Sequence, residues 1–63
     1  MIALTRLNDH AFVVNAEMIR FIESTPDTMI TLAGGDRVMV KETLEEVVAK
    51  AVEYARQIRA IPQ

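Results

Sequence analysis

The sequence predicts an α+β fold: a small antiparallel β-sheet of four to five short strands followed by one C-terminal amphipathic helix. Three observations lead there. Residues 1–41 carry short runs in which apolar and polar side chains alternate, the period of a half-buried strand. Asn-Asp, Pro-Asp and Gly-Gly separate those runs, as turns require. From residue 43 to about 60 the apolar spacing changes to steps of three and four, the period of a helix. No linker divides the two parts, so residues 1–63 read as one domain.

The first strand is "MIALTRL", with Ile2 and Leu4 alternating against Ala3 and Thr5. Asn8 and Asp9 tolerate left-handed backbone angles, so they predict a hairpin into "AFVVN", with His10 an exposed residue in or beside the turn. Asn15 can cap a short helical turn, with Glu17 near its positive end. A third strand resumes around "IRFIE", where strict alternation sets Ile19 and Phe21 on one face and Met18 and Ile22 on the other. Both phenylalanines, Phe12 and Phe21, read as core.

Thr25 is pushed toward extended angles by the proline after it. Pro26 suits the first central position of a type I turn, and Asp27 can accept from nearby amides. "TMITL" follows as a fourth strand. Gly34 and Gly35 supply two positions free to take positive φ, which favours a tight turn into "RVMVK" over a phosphate cradle, since no helix follows. Thr43 and Glu46 match the capping box that opens a helix. Leu44, Val47, Val48, Ala51, Ala55 and Ile58 then form an apolar stripe, widened by Val52 and Tyr54. Glu45, Glu46, Arg56 and Arg59 complement the helix dipole, and Glu46 and Lys50 stand in the favourable order for an ion pair. Pro62 comes too late to disturb this helix.

A chain of 63 residues buries only roughly 60% of its unfolded surface, so its stability is marginal without help. It has no cysteine for disulfides, one histidine, and no carboxylate cluster of the calcium-loop kind. No metal or cofactor is expected. Self-association, or a partner, is the remaining aid. The composition, 51% hydrophobic with 25% charged, is that of a globular domain. A net charge of −2 and a pI near 5.2 disfavour nucleic acid. No apolar run approaches the ~18 residues of a membrane span, and no secretory leader is visible. The expected location is cytoplasmic.

An unusual feature is that the strands are apolar on both faces. If Ile30, Leu32, Val38 and Val40 meet the Leu44, Val48 and Ala51 stripe, the other face presents Met29, Thr31 and Met39, with Met18 and Ile22, beside Arg37 and Lys41. Antiparallel sheets usually leave that face polar, and methionine is an adaptable side chain on partner-binding surfaces. Met29 and Met39, with Arg20, Arg37 and Lys41 as anchors, are therefore the candidate interaction residues. The rival arrangement tucks both methionines under the first hairpin in a closed barrel. Thr25, Pro26, Asp27, Gly34 and Gly35 are read as turn formers.

No catalytic residues stand out. Ser24 has no histidine near it, Glu23 and Asp27 flank a turn, and Glu42, Glu45 and Glu46 suit a helix start. A chain this small leaves little room for a small-molecule substrate. A small nucleic-acid-binding or regulatory module is the alternative, with Arg6, Arg20, Arg37 and Lys41 gathered on one surface.

The segments "MIALTRLN", "FVVNAEMI", "FIESTPDTMITLAGGDRVMVKET" and "EEV", in this order and spacing, resemble the FlbD/SwrD family of small flagellar proteins. The resemblance covers nearly everything but the last helical turns. Its most telling part is "IESTPDTMITL" followed by a glycine turn and "VKET". One departure is Asp9, where a glycine is more typical of the family. The resemblance implies a non-enzymatic protein of the bacterial flagellar system, tied to swarming and to motor power. It implies no catalytic residues. It also implies a place at the cytoplasmic face of the flagellar motor, with motor or stator proteins as partners, beside the self-association expected from the chain's small size.

Overall fold

A computed structural model describes residues 1–59, the last by its backbone alone. Five strands precede one helix. They are β1 (Ile2–Thr5), β2 (Ala11–Val14), β3 (Ile19–Ser24), β4 (Thr28–Leu32), β5 (Arg37–Val40) and α1 (Leu44–Arg59). A 3-10 turn at Ala16–Met18 leads into β3, capped by the Asn15 side chain, which accepts from the Glu17 N–H. The expected end of the helix at residue 60, the Arg59 side chain and Pro62 lie outside the described residues.

The strands form two antiparallel sheets rather than one, β1-β2 and β3-β4-β5. They meet where β1 and β5 end. An isolated bridge joins Arg6 to Val40, and the Lys41 N–H donates to the Thr5 carbonyl at 2.8 Å. The Glu42 carboxylate strengthens this joint, accepting from the Thr5 N–H and from the Thr5 hydroxyl, both at 2.9 Å. Glu42 therefore clasps the first hairpin and is not simply a charge at the helix start.

The two hairpin turns of the fold's outer strands are built alike. In the first, Asp9 N–H donates to Arg6 O and Arg6 N–H to His10 O, with Asp9 at φ 72. In the second, Gly35 N–H donates to Leu32 O and Leu32 N–H to Asp36 O, with Gly35 at φ 96. This is the three-residue loop whose last member takes the left-handed region. Of the two glycines only Gly35 uses that freedom. The Thr25–Pro26 turn departs from type I. Its peptide bond is cis, and the Thr25 N–H donates to the backbone carbonyl of Asp27.

Ile2, Leu4, Val14, Ile30, Val40 and Val47 make the core, with Phe12, Ile19, Ile22, Leu32, Val38 and Tyr54 packed around it. Both sheets contribute, and α1 lies across β1 and β3. This placement corrects the expected helix stripe. Val47 is fully enclosed and Leu44, Ala51, Tyr54 and Ala55 half-buried, whereas Val48 and Val52 face solvent. Ile58 shares the face of Val47 and Ala51 by its spacing, yet it is 45% exposed. The helix begins as predicted: the Glu46 N–H donates to the Thr43 hydroxyl, and Glu46 accepts from the Thr43 N–H. That use of Glu46 stands in place of the expected pair with Lys50; the described residues hold one ion pair, Lys41 with Asp9.

Candidate interaction surface

β3, β4 and β5 pair so that Glu23, Met29 and Met39 form one cross-strand row and Phe21, Thr31 and Arg37 the next. Residues in such rows share a face. Their alternates Ile22, Ile30 and Val38, with Thr28 and Val40, turn inward. The two rows thus form the outer face of the sheet, away from the core. Met29 is half-buried by its neighbours, while Met39 is 45% exposed. The closed barrel that would hide both methionines does not form.

Phe21 is the largest departure from the sequence reading. It was expected in the core and is 58% exposed. The cause is a bulge: Ile19 pairs with Leu32 but Phe21 with Thr31, leaving Arg20 as an extra residue. An added residue reverses the alternation. Ile19 and Ile22 therefore both pack on the core, and Arg20 and Phe21 between them are exposed. Ile22, expected beside the methionines, belongs to the inner layer. A signal was available, because two isoleucines three apart cannot both face inward on an unbroken strand.

The cations do not gather as one patch. Arg6 stacks on Phe12, its guanidinium carbon 4.6 Å from the ring centre. The Lys41 ammonium donates to the Asp9 carboxylate, tying the first turn to the end of β5. Arg37 stays on the outer face and Arg20 stands at the bulge. Diagonally across the two rows from Arg37 is Glu23, also exposed. The face is thus apolar along one diagonal, Phe21 to Met39, and oppositely charged at the ends of the other.

The turn residues Thr25, Pro26, Asp27, Gly34 and Gly35 are exposed at strand ends and join no cluster with the methionines. His10 is exposed beside its turn, its N–H donating to the Asn8 side chain. A groove of about 260 Å³ runs between the 3-10 turn and α1, lined by Ala16, Glu17, Ala51, Tyr54, Ala55 and Ile58. Among the described residues no helix is long and apolar enough to cross a membrane.

Comparison with known proteins agrees with the resemblance drawn from the segments above. A family model described as FlbD, flagellar and swarming motility proteins, matches residues 1–59. No curated protein and no solved structure matches significantly. With the match running through all five strands and the helix, the chain belongs to the FlbD family of flagellar and swarming motility proteins.

Proposed function

We propose that this chain is a non-enzymatic interaction module of the flagellar system that supports motor power during swarming. It works on the cytoplasmic side, where it helps stator units act on the motor, and its contacts run through the outer face of the three-stranded sheet. Family membership supports the link to motility. The observation that carries the rest is the apolar outer face, where Phe21 and Met39 stand in solvent beside Arg37. Soluble domains seldom leave a contiguous apolar patch without a partner for it.

Met39→Glu tests this. A charge on an exposed strand position leaves the core untouched, so the helical circular dichroism should persist while swarm expansion drops several-fold. Swarming at the wild-type rate with a folded variant would remove the face from the mechanism. A pull-down from motile cells, with stator and switch proteins as candidates, would identify the partner.

A second reading gains from the exposure of Phe21. Sheet proteins that hold single-stranded nucleic acid stack bases on surface aromatics flanked by cations, and Arg20 and Arg37 flank this ring in sequence and across the sheet. Glu23 on the same face and the net charge of −2 oppose it. Filter binding over a salt series separates the two: tight, salt-sensitive retention would favour nucleic acid.

A further inference from the structure

We infer that the occupant of the outer sheet face is a second copy of this chain, related by a two-fold axis along the Phe21–Met39 diagonal. The inference deepens the proposed function and rests on the same face. Two rows on three strands make an oblong patch of about 9.6 Å by 6.7 Å, since strands are about 4.8 Å apart and every second residue advances about 6.7 Å. Its four corners are Glu23, Met39, Arg37 and Phe21. The acid and the base occupy one diagonal and the large apolar side chains the other.

A two-fold axis lying in the contact plane along the apolar diagonal maps that diagonal onto itself. Phe21 then meets the partner's Phe21, and Met39 meets the partner's Met39. The same operation carries each charged corner to within about 4 Å of its opposite, inside the reach of these long side chains, so Glu23 faces the partner's Arg37 and Arg37 faces the partner's Glu23. Self-complementarity of this kind is what an isologous contact demands. The strands of the two copies cross steeply, one of the two ways in which sheets pack face to face. Within one chain neither charge is engaged: among the described residues the only ion pair is Lys41 with Asp9. The partner supplies what the chain leaves unmet. Charge complementarity across the axis selects this pairing over others that would bury the same methionines.

The test uses charge reversal on the full chain, followed by sedimentation equilibrium from about 10 to several hundred micromolar, with circular dichroism to confirm folding. Wild type should be dimeric over the upper part of that range. Glu23→Arg sets two cations against each other twice, and Arg37→Glu sets two acids, so each alone should be monomeric. An equimolar mixture of the two single variants should recover the dimer mass, because every contact in the mixed pair joins opposite charges. The double variant E23R/R37E should also dimerise. A wild type monomeric throughout, single variants that still dimerise, or a mixture that stays monomeric would each overturn the pairing. Swarming is read separately. A monomeric wild type whose swarming is still lost on Met39→Glu overturns the pairing and leaves the motility reading standing. A dimer lost on Met39→Glu without effect on swarming supports the pairing and overturns that reading.

Discussion

Asp9 and Gly35 hold equivalent places in two turns bonded in the same way, both at positive φ. An L-residue there costs roughly 1–2 kcal/mol, less for Asp, whose short polar side chain suits the region. Asp9 has a compensating contact, since its carboxylate meets Lys41, 32 residues away. The pair is exposed, so it contributes under about 1 kcal/mol. Gly35 has no such offset. Gly35→Ala should cost about 1 kcal/mol or more in urea unfolding. Gly34→Ala should change stability by about 0.5 kcal/mol at most, since Gly34 has ordinary φ and open space where a Cβ would go. Equal losses at the two positions would contradict the assigned turn. The glycine pair is visible in the sequence; which member bears the turn depends on where the ladder closes.

At the scale of elements, local signals carried far. Every strand and the helix were legible because period, turn residues and capping act within a few neighbours. The helix start is the sharpest case. Removing the hydroxyl that holds the Glu46 N–H, by Thr43→Ala, should cost about 1 kcal/mol in chemical unfolding; no measurable loss would mean the box contributes nothing. What was not legible needed long-range geometry. Ile19 and Phe21 face opposite ways because one extra residue at Arg20 brings Ile19 inward while Phe21, next to inward Ile22, stays outward. Val48 and Val52 carry the right period but face solvent, because α1 lies on β1 and β3 and not squarely over β4 and β5. The candidate surface divides the same way. Met29 and Met39 could be placed together from alternation, whereas the loss of Lys41 to Asp9 and the arrival of Phe21 and Glu23 could not.

For the molecule as a whole, the weak point is the joint between the sheets. The Arg6–Val40 bridge with its bond from Lys41 N–H to Thr5, the two bonds from Thr5 to Glu42 and the exposed Lys41–Asp9 pair hold it, beside the shared core. Burial pushes the Glu42 carboxyl up, but the bonds from the Thr5 backbone and hydroxyl, its own N–H and the charge of Lys50 outweigh that and hold it below the usual carboxylate range. The sign follows directly. A folded-state pKa below the unfolded value means that the unfolded chain binds the proton more readily. The joint's contribution is therefore full above the unfolded carboxylate pKa of about 4.3 and falls as pH drops through the lower folded value. Glu42→Gln cannot ionise and keeps only one carbonyl oxygen for Thr5. It should be less stable than wild type at pH 7, with the gap narrowing steadily below about pH 4. Thermal unfolding of both proteins from pH 7 to 3 measures this. A gap that stays constant across the range would mean that the ionised carboxylate does not hold the sheets together.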